Sequence, residues 1–173
     1  MEKRRQEMKK MESKLTDEAE LLNQYLSQYQ YCISRKKSLE NRRAEIVKEF
    51  DNPLRAIRLD GMPRSGSSKV GCAALSFRLD EVDTRIKEQK ENAEKVLVNI
   101  MNIIDFLPES SLERAILENR YLDRYNWEQV CRENHISRTP ATKKWRKALY
   151  MLLEFKKIKQ ILEEYKNGLQ NSE

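Results

Sequence analysis

The chain is poor in the residues that make turns and cross-links. It has 4 glycines and 4 prolines in 173 residues. β-Sandwiches and barrels need many turns, and turns draw on Gly and Pro, so this scarcity argues against both. There is one histidine, and the three cysteines, Cys32, Cys72 and Cys131, are widely spaced with no CxxC pair. Neither a zinc site nor a disulfide framework fits that pattern, so no metal is expected. No stretch approaches the ~20 consecutive apolar residues of a membrane span. The opening MEKRRQEMKKMESK is basic but has no apolar region after it, unlike a signal peptide. The expectation is a cytoplasmic protein with no membrane partner.

What is abundant is charge. Asp, Glu, Lys and Arg make up 36% of the chain, with 34 basic against 28 acidic residues and a net charge of +6. The 39% hydrophobic content is low for one large core and adequate for long helices that each bury one stripe. The fold class expected is all-α.

Residues 1–14 read as a flexible basic lead-in. From Leu15 to Phe50 a helical stripe follows through Leu22, Tyr25, Tyr29, Cys32, Lys36, Leu39, Arg43, Ile46 and Phe50, at spacings of three and four. Segment 51–71 holds three of the four glycines and two of the four prolines, and reads as a mobile loop that Pro53 opens and Gly71 closes. A second helix is expected from Cys72 to Leu107. Its positions Leu75, Leu79, Val82, Ile86, Gln89, Ala93, Val96, Ile100, Ile103 and Leu107 keep a heptad seam without a slip. Residues 15–107 therefore read as a helical hairpin or coiled coil, paired within one chain or between two chains as a homodimer.

Pro108 interrupts, and Ser110 or Ser111 can cap a third helix with Glu113 and Arg114 in its first turn. Its core face is expected to be Leu112, Ala115, Ile116, Asn119 and Leu122. Asn126 can cap a short helix from Trp127 to Asn134, with Val130 and Cys131 facing inward. His135 and Ile136 turn the chain, and Ser137 caps the next helix, whose first turn accommodates Pro140. Ala141, Trp145, Ala148 and Leu149 form its buried face. Two helices joined by a short turn, with a small residue (Cys131) at the crossing and Ile136 plugging the turn, form a helix-turn-helix pattern over 108–150. Its expected core is Val130, Cys131, Ile136, Ala141, Trp145 and Leu149. The last helix is expected to run on from Arg138 to Leu169, so that 151–173 is a terminal extension.

Charge is localised on that last helix. Between 138 and 159 there are eight basic residues, and Glu154 is the one acid, a net of +7 against +6 for the whole chain. That is the electrostatic footprint of a double-stranded DNA partner.

The stretch LPESSLERAILENRYLDRYNWEQVCRENHISRTPATKKWRKAL resembles region 4 of bacterial sigma factors. The points of likeness are Arg120-Tyr121, Trp127-Glu128-Gln129-Val130-Cys131, the Ile136-Ser137-Arg138 turn and the close at Ala148-Leu149. The upstream GMPRSGSSKVGCAALSFRLDEVDTRI is similar to a segment of small Gram-positive phage proteins, transcription regulators of late genes near the ArpU type. The resemblance covers about residues 20–155. It implies base reading by Arg138, Thr139 and Lys143, and phosphate contacts by Lys144, Arg146 and Lys147. A turn position that is often Gly is His135 here, which then has to adopt a left-handed backbone or a different turn. The implied function is sequence-specific DNA binding that regulates phage or prophage transcription, with RNA polymerase as a further partner.

Gly61-Met-Pro-Arg-Ser-Gly66-Ser-Ser-Lys69 is not a phosphate loop of the Walker type, since Ser67 holds the lysine position and a helix precedes it. His135 has no nucleophile or carboxylate at a meaningful spacing, so neither an enzyme nor a cofactor is expected. The competing readings are a DNA-packaging subunit like the small terminase, and a purely structural coiled-coil protein.

Overall fold

A computed structural model describes residues 16–51 and 67–170, and the side chains of 16–49 and 73–170. The lead-in 1–14 and most of the loop 51–71 lie outside the described residues. Those described are helical, with no strand among them. The helices are α1 (16–26), α2 (Gln28–Asp51), α3 (Ser67–Ile104), α4 (Leu112–Leu117), α5 (Trp127–Glu133), α6 (Arg138–Leu153) and α7 (Lys156–Gln170). None is long and apolar enough to cross a membrane.

The structure corrects four boundaries. The expected helix 15–50 is interrupted at Ser27, whose Oγ donates to the Asn23 carbonyl at 2.7 Å while its own amide reaches the same oxygen at 3.0 Å. Such back-bonding bends a helix. α3 begins at Ser67 rather than Cys72, so Gly71 lies inside it. One helical Gly costs only about 1 kcal/mol against Ala, too little to stop a 38-residue helix. The same helix ends at Ile104, not Leu107. Phe106 N–H to Ile103 O (3.2 Å) and Leu107 N–H to Ile104 O (2.9 Å) tighten the chain ahead of Pro108, yet Leu107 stays buried.

The fourth correction is the largest. The helix from Arg138 does not continue to Leu169 but breaks at Glu154–Phe155, through Glu154 N–H to Met151 O (3.3 Å) and Phe155 N–H to Leu152 O (3.2 Å). No Gly or Pro marks this break. Tertiary burial produces it: Phe155 meets the Phe106 ring at 4.9 Å, Ile158 and Leu162 are buried, and Tyr165 packs edge-on against Tyr25 at 5.2 Å.

The chain divides into two compact units, with boundaries inside α2 and α3. Unit 2, over 31–94, pairs parts of these two helices. Cys32 lies near Asn92 (3.6 Å), Arg43 binds Asp83 (2.6 Å) and Glu49 binds Arg78 (3.5 Å). Partner numbers fall as α2 advances, so the two segments run antiparallel within one chain. Burial pushes the Cys32 thiol pKa up, which keeps it protonated and unreactive. The nine seam positions within α3, and Leu107 just beyond its end, are half or fully buried, as their spacing requires.

Unit 1 contains 16–30 and 95–170 among the described residues. Leu22 and Leu26 of α1, Ile100, Ile103 and Ile104 of α3, Leu149, Leu152 and Leu153 of α6, and Ile158 and Leu162 of α7 share one core. α4 supplies Leu117, and a π-helical turn, Glu118–Leu122, supplies Tyr121. The expected α4 face is thus rotated. Ile116 and Leu117 are fully buried, while Leu112, Ala115, Asn119 and Leu122 are only half-buried.

Candidate nucleic-acid interface

The site is built from α5, the turn after it and α6. At the start of α5, Asn126 Oδ1 accepts from Gln129 N–H and Gln129 Oε1 accepts from Asn126 N–H, each at 2.9 Å. This reciprocal pair satisfies two amides that a helix start otherwise leaves open. α5 ends in a fully satisfied stop. Ile136 N–H donates to Cys131 O (3.0 Å), His135 N–H to Arg132 O (3.2 Å), and Asn134 Nδ2 to Val130 O (2.8 Å). These backbone bonds are the 6→1 and 5→2 pair of a Schellman cap, which needs a left-handed residue at its hinge. His135 is that residue, with φ of 53°.

Ser137 then begins α6 with an extended backbone (φ −79°, ψ 166°) and its carbonyl accepts from Ala141 N–H at 3.1 Å. Its hydroxyl makes no capping bond. Serine acts here through backbone conformation alone. Pro140 sits in the first turn, where its missing N–H costs nothing.

Val130, Ala141 and Leu149 are buried, whereas Cys131, Ile136 and Trp145 are half-buried. The fully buried small side chains are therefore Val130 and Ala141, not Cys131. Trp145 is held by partners instead of by complete burial. Its ring meets Trp127 edge-on at 5.9 Å, and its Nε1 donates to the Tyr121 hydroxyl at 3.0 Å. Tyr121 in turn donates to Asn23 Oδ1 of α1 at 2.6 Å. Burial pushes the Tyr121 phenol up to about 12, so it stays protonated and keeps donating.

The expected base-reading and phosphate-binding residues separate into three groups. Thr139, Lys143 and Arg146 are exposed, and their side chains make no hydrogen bond or ion pair with other described residues. Spaced four and three apart, they share one outward stripe of α6, which Tyr150 continues. Arg138 is exposed too, but its guanidinium lies 4.4 Å from the centre of the Trp127 ring, and Arg120 lies 5.5 Å from the same ring. The stack holds Arg138 at the leading end of α6.

Lys144 and Lys147 depart from expectation. Both bind Oε1 of Glu113, at 3.1 and 3.0 Å. Glu113 is 6% exposed, the one buried charged residue among those described. Hydrogen bonding from Lys147 outweighs the cost of burial and, with the backbone and Lys144, holds its carboxyl down at about 2. The lysines expected on phosphates thus have an internal counter-ion. Nothing in the sequence spacing could reveal the pair, because Glu113 lies 31 residues before Lys144.

No family model, curated protein or solved structure matches the chain. What the site does is therefore read from its own geometry. Two helices meet at a rigid turn. The second presents a row of hydroxyl, ammonium and guanidinium groups, and a stacked arginine marks its start. Among the described residues no group of three or more His, Cys, Asp and Glu is placed to hold a metal.

Proposed function

We propose that this chain is a sequence-specific DNA-binding regulator of phage or prophage transcription. In this reading α5 and α6 are a helix-turn-helix, and α6 enters the major groove as region 4 of a sigma factor does. The observation that carries the reading is the outward row Thr139, Lys143 and Arg146 on a helix whose opposite face is buried. Arg138 and Lys143 suit guanine O6 and N7, Thr139 suits any base edge, and Arg146 suits a phosphate.

The hairpin is the part we assign to homodimerisation or to contact with RNA polymerase. The work would be done in the bacterial cytoplasm, without catalysis.

The test is a titration of the full chain against a selected duplex and a scrambled one, at several salt concentrations. Arg138→Ala should lose about 1–3 kcal/mol on the selected duplex and less on the scrambled one. Equal loss on both would reduce Arg138 to a phosphate clamp and refute this docking. Failure of the wild-type chain to bind either duplex would refute the DNA reading altogether.

A further inference from the structure

Building on the DNA-binding reading, we propose that Glu113 is an internal counter-ion that withholds Lys144 and Lys147 from DNA phosphates and so limits non-specific binding. α6 carries five cationic side chains, Arg138, Lys143, Lys144, Arg146 and Lys147. Non-specific affinity for DNA comes almost wholly from the number of phosphates neutralised. A helix with all five free would hold any duplex tightly, with little room for sequence to matter.

The structure removes two of the five. Both ammonium groups converge on a single oxygen, Glu113 Oε1, at 3.0 and 3.1 Å. The exposures of the partners are unequal. The Glu113 side chain is 8% exposed, while those of Lys144 and Lys147 are 42% and 60% exposed. The carboxylate sits on the short helix α4, fixed by the Ser111 cap and the buried Ile116 and Leu117, and cannot follow the lysines outward. A phosphate that recruited both lysines would leave a buried carboxylate unpaired, a state that buried charges avoid strongly. Its low pKa keeps Glu113 ionised throughout the neutral range, so the counter-ion is always present.

Lys143 and Arg146 show the contrast. They lie on the same helix, each one residue before Lys144 and Lys147 respectively, and meet no carboxylate. Cations open to DNA and cations held within the protein are thus sorted by one acidic residue on another helix.

The experiment is the salt dependence of binding to a scrambled duplex, using the full chain. Each phosphate contact contributes a slope of about −0.9 in log affinity against log salt. Glu113→Gln should steepen the slope by about 0.9 for each lysine released, about 1.8 for both. Affinity should then fall about tenfold more steeply than in wild type between 50 and 200 mM salt, values at which such contacts are commonly compared. The ratio of selected to scrambled affinity should drop. In the otherwise wild-type chain, Lys144→Met and Lys147→Met should each leave the slope unchanged, since the other lysine still pairs with Glu113. Arg146→Met should flatten it by about 0.9.

An unchanged slope in folded Glu113→Gln overturns the proposal, as does flattening by Lys144→Met or Lys147→Met as large as that by Arg146→Met. If Glu113→Gln fails to fold, the lysine variants decide alone. Either of those failures would leave DNA binding standing. Absence of binding by the wild-type chain would remove both readings together.

Discussion

Folding changes the chemistry of Glu113 strongly. Its pKa falls from 4.5 to about 2, so the folded chain binds a proton there less readily than the unfolded chain. The stabilisation this provides is complete above pH 4.5 and is lost as pH falls through about 2. Thermal melting followed from pH 5 to pH 2 should therefore show a steeper decline in wild type than in Glu113→Gln, the two curves converging at the acid end. Parallel curves would mean that the lysine pairing adds no stability. At this scale the sequence was legible where side chains act singly and opaque where they act in pairs. Thr139, Lys143 and Arg146 are exposed, as a helical wheel places them. The clamp Lys144–Glu113–Lys147 and the chain Asn23–Tyr121–Trp145 join residues 24 to 98 positions apart, and no local period records them.

Elements were readable in proportion to how much of their form is local. The start of α5 is fixed by neighbours three residues apart, and Asn126→Ala should cost about 1 kcal/mol in denaturant-induced unfolding. Its end is fixed by a left-handed residue. His135→Gly should stabilise the protein by up to about 1 kcal/mol, because Gly adopts that backbone without steric penalty. His135→Val should destabilise it, and a gain from Val would mean the hinge is not left-handed in solution. The α3 seam was equally legible, since 3.5-residue spacing was kept through ten positions that all lie at least half-buried. The break between α6 and α7 was not. Its cause is the Phe106–Phe155 contact and the burial of Ile158 and Leu162, which no turn residue advertises. The α4 face was misread by about one position, because the π-helical turn that follows alters the 3.6-residue period from which the face was projected.

At the scale of the whole molecule, the motif over 108–150 is not self-sufficient. Its buried residues Leu117, Tyr121, Ala148 and Leu149 belong to a core that also requires Leu22, Leu26, Ile100, Ile158 and Leu162. A fragment 108–150 should lack cooperative melting and dispersed proton resonances, whereas 95–170 supplied with a 16–30 peptide should regain part of both. A fragment 108–150 that folds alone would show that the outer helices are dispensable. Motif reading locates 108–150 readily, since caps and turn are local, but it does not reveal that distant segments complete the core. One outcome concerns synthesis. α1 leaves the ribosome well before α7, whose Tyr165 packs on its Tyr25. At elongation rates of about 5–20 residues per second, α1 waits on the order of ten seconds for α7 to cover Leu22 and Leu26. During that interval the nascent chain offers the apolar stripe of α1 to chaperones, and the core of unit 1 is not complete until translation has passed α7.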